Sequence, residues 1–193
     1  MDVKKILVIM LCTFMTACGN DKADTNNSLA NTPQQNIILS ADGVGPINAQ
    51  TPFNIHQVTL AFPDFSVEEF TDKKEVDGGR IIRISENGKP ILILHPDQDQ
   101  KLIYSIIIQS THVGNILGHN IGAIFSDIYS YEQTEACTTG TDELTGKVLC
   151  FAPKTPNILY VFSGTSDTPD TQVPPPNILA NWKLNSIIWK PAG

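Results

Sequence analysis

The chain lacks any apolar run near the roughly 20 residues that a bilayer-crossing helix needs; its N-terminal apolar stretch, Ile6–Thr16, is about half that. No G-x-S-x-G, H-E-x-x-H, P-loop or G-x-G-x-x-G pattern occurs, which removes the sequence basis for a nucleophile elbow, a zinc protease or a phosphate cradle. Basic residues are few: 13 Lys and Arg against 20 Asp and Glu, a net charge of −7. Phosphate backbones are repelled by that balance, so no nucleic-acid partner is expected. Cysteines number 4 and tryptophans 2, few enough for each to be considered singly.

Cys18 is the most telling of them. It ends the run Met15-Thr16-Ala17-Cys18-Gly19, behind an apolar segment and a charged start at Lys4 and Lys5. Small Ala17 precedes it, as a cleavage site requires. This arrangement resembles the lipobox of bacterial lipoproteins, with Met15 where Leu is usual. The resemblance implies cleavage after residue 17, lipidation of Cys18 and stable attachment, because two or more acyl chains hold where one does not. Gly19 stands where an inner-membrane retention signal places Asp, which favours the outer membrane, facing the periplasm. Without residues 1–17 the chain keeps 11 basic and 19 acidic side chains, a net charge of −8. Residues 18–36 then form a lipidated cysteine and a tether with no aromatic and a single Leu, too polar to order itself. Residues 37–193 are left, enough for one ordinary core or two small fused ones.

Cys12 leaves with the signal, so Cys137 and Cys150 remain, and in an oxidising compartment two such cysteines pair. The alternative is a metal or redox site; neither cysteine lies in a C-x-x-C and no histidine is close in sequence.

The chain also repeats. Gly79–Leu94 and Gly146–Val161 align without a gap at an offset of 67, each an apolar run, a turn and a second apolar run. That pattern predicts a β-hairpin with a loop longer than two residues. A third related strand follows each, Lys101–Ile108 and Lys183–Trp189, which match with one deletion. A helix precedes each: Ile55, Val58 and Phe62 share one face after a Thr51 cap and Pro52, and Ser126 would cap a shorter stretch through Ile128 and Tyr131. The expectation is an α+β fold, β-rich and compact, in which a unit of strand, helix and three-stranded antiparallel meander occurs twice, at about 37–110 and 111–193. The proline-rich stretch 163–179 reads as a stiff surface connection.

Chemistry is sparse. His56, His95, His112 and His119 lie in no recognised ligand spacing, so neither a metal, a cofactor nor a catalytic residue is expected. Asp97 and Asp99 read as strand terminators. Trp182 and Trp189, seven apart, point opposite ways on a continuous strand. One then belongs to the core and the other is a candidate contact surface, the alternative being packing against the second helix.

The segments SADGVGPINAQTPF at 40–53, IGAIFSDIYS at 121–130, ILYVFSG at 158–164 and NWKLNSIIWKP at 181–191, with the Cys137/Cys150 pair, resemble the RpoE-regulated lipoprotein family. These are small envelope lipoproteins of enterobacteria and relatives with a domain of unknown function. The resemblance covers most of 38–191 and departs between about 66 and 118. It implies a location and control by envelope stress, but no activity. The expected function is that of a non-enzymatic outer-membrane lipoprotein binding an envelope protein or component; the alternative is a small-ligand binder or hydrolase with a pocket between the repeats.

Overall fold

Asn87 and Gly88 both take positive φ, 50° and 74°, the conformation a two-residue hairpin turn demands. They join strands β5 (Arg80–Glu86) and β6 (Lys89–Pro96), with Glu86 opposite Lys89. The second hairpin, β10 (Val148–Ala152) and β11 (Thr155–Ser163), turns through Pro153 and Lys154, with Ala152 opposite Thr155. Both loops are thus two residues long, shorter than the sequence suggested. The computed structural model describes residues 36–71, 79–130 and 137–192. Residues 1–17, Cys18 and nearly all of 19–36, for which a signal, a lipidated cysteine and a tether are expected, lie outside them.

Eight strands form one antiparallel sheet: β4 (Ser66–Thr71), β5, β6, β7 (Ile103–Ile108), β12 (Lys183–Trp189), β11, β10 and β9 (Cys137–Thr139), in that spatial order. The first half of the chain therefore supplies β4–β7 in sequence order, the second half supplies β9–β12 in reverse, and β7 meets β12 at the seam. Each half gives this sheet four strands, not three. A smaller mixed sheet has the order β3 (Ile47–Asn48), β2 (Gly43–Val44), β1 (Ile38–Ser40) and β8 (Gly114–Asn115), with β1 and β8 parallel. The result is β-rich, with few and short helices: α1 (Ile55–Ala61), α2 (Phe125–Ile128) and α3 (Pro176–Leu179). Among the described residues no helix is long and apolar enough to cross a membrane.

Helix α1 buries Val58, with Phe62 at its C-cap, both at 0% exposure, as the spacing predicted. Its cap is Asn54, whose side chain accepts from Gln57 N at 3.1 Å. Thr51 does not cap it, because its Oγ1 accepts from Asn48 N at 2.9 Å and closes the preceding turn. Ser126 likewise lies inside α2 rather than before it; Ile124 holds the cap position, without a side-chain bond. Tyr131 is outside the described residues. In the proline-rich segment Pro174 is buried and Pro176 opens α3, where a fixed φ suits the first helical turn.

Side chains alternate across a strand, so register decides which residues face inward. One inner row is Ile84, Leu92, Ile108, Ile187, Tyr160 and Cys150, matched across β5, β6, β7, β12, β11 and β10. Against the inner face pack Leu39, Val44 and Ile47 of the small sheet, Val58 of α1, Phe125 of α2 and Leu179 of α3, all in one buried cluster. Each such fully buried aliphatic side chain stabilises by about 1.5–3 kcal/mol. The gapless alignment at offset 67 does not preserve these faces: it sets buried Ile82 against half-buried Leu149, and half-buried Ile93 against buried Tyr160.

Candidate functional site

The other face of the large sheet carries its own row. Glu68, Arg83, Ile93, Ile107, Ile188, Leu159 and Phe151 stand side by side across β4, β5, β6, β7, β12, β11 and β10. From β6 onward the row is apolar. Ile93, Ile107 and Leu159 are half-buried, and Phe151 is 47% exposed. Leu149 and Val161 flank it on the same face, directly paired. Val161 and Ile188 are buried yet belong to no part of the inner cluster. At the charged end the Arg83 guanidinium lies 4.0 Å over the Phe70 ring. The sequence signal for this row is the run of consecutive apolar residues in Ile91–Leu94 and Ile106–Ile108, which fills both faces of a strand rather than one. Spacing alone did not align those runs, because alignment needs the register.

Both tryptophans face inward. Trp182 is 6% exposed and Trp189 1%, so neither offers the exposed contact surface expected of one of them. The reason is a shift of register: Val161 pairs with Ser186 but Phe162 with Leu184, which inserts an extra residue into β12. Such a bulge inverts the alternation beyond it and puts Leu184 and Ile187, with Trp182 and Trp189 beyond them, in the inner cluster. Trp189 Nε1 donates to Ala41 O at 3.0 Å.

The cysteine expectation holds. Cys137 and Cys150 are bonded and stand directly opposite each other on β9 and β10, with Cα atoms 4.1 Å apart.

The histidines are dispersed. His56 is exposed on α1. His112 Nδ1 lies 2.5 Å from Glu86 Oε2. His119 Nδ1 lies 3.1 Å from the Tyr160 hydroxyl, to which Asn115 Nδ2 donates at 2.9 Å. Burial holds the His119 imidazole below its ordinary range; it pushes the Tyr160 phenol up, an effect the Asn115 bond opposes. Among the described residues no three His, Cys, Asp or Glu side chains gather as metal ligands would. A broad open groove runs past Arg80, His95, Asp97, Gln100 and Tyr104. Its turn carboxylate is engaged, Asp97 Oδ1 accepting from Lys101 N at 2.7 Å and Leu102 N at 3.3 Å, which is the strand-ending role expected of Asp97. Where the two halves meet, Ile106–Ile108 against Ile187–Trp189 fill the seam.

Comparison with known proteins returns relatives with the same fold and no assigned activity. The uncharacterized protein YfeY of Escherichia coli (strain K12) is 27% identical over 194 residues, covering 96% of this chain and 99% of that one. The crystal structure of the uncharacterized protein yfeY from Escherichia coli superposes with a TM-score of 0.66 at 26% identity, covering 79% of this chain and 98% of that one. The family described as "Protein of unknown function (DUF1131)" matches residues 28–191, and the chain belongs to it.

Proposed function

We propose that this protein is an exported lipoprotein, anchored through Cys18 at the outer membrane and facing the periplasm, that performs no catalysis and binds an envelope protein. The anchor rests on the basic start, the short apolar segment and the Ala17-Cys18-Gly19 junction. Regulation by envelope stress belongs to the same reading and rests on the resemblance carried by residues 40–53, 121–130 and 181–191.

The observation that carries binding is the apolar row Ile93–Ile107–Ile188–Leu159–Phe151 on the face turned away from the core. Contiguous apolar surface of this kind, ending in an exposed aromatic, marks contact sites in soluble domains. Cross-linkers placed in living cells at Ile107, Leu159 and Phe151 should capture one recurring envelope protein. Probes at His56 and Gln57 on α1 should not, and Phe151→Glu should abolish capture by the neighbouring probes. Equal adducts from both faces, or equal capture by a Cys18→Ala chain that cannot be lipidated, would overturn the proposal.

We also propose that the two halves arose by duplication. The support is the seam, across which β4–β7 and β9–β12 are arranged about a pseudo-twofold. The pairing that respects it sets Leu92 with Ile158, Leu94 with Tyr160, Ile82 with Cys150 and Ile106 with Ile187. Every one of these eight side chains is buried.

A further inference from the structure

We propose that the layer of short strands and helices rests on the bilayer surface, with Ile38 and Ile116 entering the headgroup boundary, so that the outer row of the large sheet is turned toward the periplasm. This seating requires the anchor proposed at Cys18.

The layer is set apart by charge. It consists of β1, β2, β3, β8 and the three helices, which pack Leu39, Val44, Ile47, Val58, Phe125 and Leu179 against the inner face. In all of these elements Asp127 of α2 is the only Asp, Glu, Lys or Arg. Strands β4 and β5 alone carry Glu68, Glu69, Arg80, Arg83 and Glu86. With 20 acidic side chains against 13 basic, most of the chain is repelled by anionic headgroups. Only a surface poor in carboxylates can lie against them, and this layer is one. Asp42 and Asp64 stand in the turns that follow β1 and α1.

The outward side of the layer is also apolar. Ile38 stands beside Gly114 in the parallel β1–β8 pair, on the side away from buried Leu39. A Cβ on Gly114 would lie 3.7 Å from Ile38 Cγ1, so Ile38 reaches over bare backbone. Ile116 donates its N–H to Leu39 O and, two residues beyond Gly114, returns to the same side. Ile38 is 45% exposed and Ile116 64%. On α1, Val58 faces the core, and Leu60, roughly 200° further round the helix, is 68% exposed. Exposed apolar groups on an uncharged surface suit the boundary between headgroups and acyl chains.

The chain's path supplies the occupant. Residues 36 and 37 lead directly into β1, so an anchor at Cys18 draws the domain to the bilayer by the strand that bears Ile38. The chain from Cys18 to Ile37 spans at most about 70 Å, which holds the layer at a high local concentration beside the lipid. A contact too weak to retain a free protein is then populated. The layer covers the inner face of the large sheet, whereas Ile93, Ile107 and Phe151 stand on its other face. Lipid under the layer therefore leaves the outer row open to a partner.

Isoleucine methyl groups report both sides at once. The full chain is expressed so that its own cells can acylate it, labelled with ¹³C at the isoleucine δ1 methyls, and placed in nanodiscs of phosphatidylethanolamine and phosphatidylglycerol with a gadolinium-chelating lipid. Ile38→Val, Ile116→Val, Ile93→Val and Ile107→Val assign the signals. The Ile38 and Ile116 methyls should broaden strongly and those of Ile93 and Ile107 little. Ile116→Glu should remove most of the Ile38 broadening, with unchanged Ile93 and Ile107 shifts reporting an intact fold. Equal broadening on both sides, stronger broadening of the outer row, or none at all would overturn the proposal. So would concentration-dependent shifts of Ile38 and Ile116 in a lipid-free Cys18→Ala chain, which would assign the patch to a second copy. The mass of the N-terminal peptide reports acylation of Cys18 separately. Where it shows none, the anchor reading fails by itself, and a chain beginning at Cys18 and coupled there to a maleimide lipid still tests the seating.

Discussion

Trp189 on the last strand and Ala41 on the first turn are joined by one hydrogen bond, indole Nε1 to carbonyl oxygen at 3.0 Å across 148 residues of sequence. Asn157 Nδ2 donates to the same oxygen at 2.8 Å. The bond ties the β1–β2 turn of the small sheet to the middle of the large one. Trp189→Phe removes the donor and leaves a void where the larger ring was, but the Ala41 oxygen keeps Asn157. The cost is therefore set by one hydrogen bond and an incompletely filled site, about 1–3 kcal/mol. A lower urea midpoint with an unchanged slope is the expected result.

The bond explains what could be read from the chain and what could not. Strands β5, β6, β10 and β11 were legible because each hairpin combines a turn signal with apolar runs. The burial of Val58 and Phe62 was legible from helical spacing. The small sheet was not, because its strands are only two or three residues long. They exist through tertiary pairing such as Ile38 with Gly114, which leaves no local period. The tryptophans were misread for a similar reason: a single extra residue in β12 changes the face of everything before it. The outer row needed six registers at once, although its two-sided apolar runs were in plain view.

The disulfide clips β9, a three-residue strand at the sheet edge, to β10. Closing a loop of this length stabilises by roughly 3 kcal/mol on the chain-entropy account. Reduction, or Cys137→Ser, should lower the melting temperature by roughly 6–12 °C for a domain of this size. Calorimetry with and without reductant checks this, and the Cys137→Ser protein should be indifferent to reductant. Equal melting of the native chain in both conditions would show that the bond adds nothing.

His119 gives the fold a pH dependence with a definite sign. Burial against Tyr160 disfavours the charged imidazole and holds its folded-state pKa below the ordinary 6.5. The unfolded chain, with the ordinary value, therefore takes up a proton first as pH falls. Stability falls wherever the unfolded state binds more protons. The contribution of neutral His119 is thus fully present above about pH 6.5 and is lost progressively as pH falls from there through the folded-state value. Protonation also removes the acceptor from Nδ1, so if Nδ1 accepts from the Tyr160 hydroxyl when neutral, that hydroxyl must turn to another partner. His119→Gln keeps a polar side chain of similar reach and cannot titrate. Urea midpoints measured from pH 8 down to pH 5 should fall more steeply for the native chain than for His119→Gln, with the curves parallel above pH 7. The acidic side chains lower both curves equally, so the difference between them isolates the imidazole. Parallel curves throughout would mean that His119 titrates as freely in the folded protein as in the unfolded one.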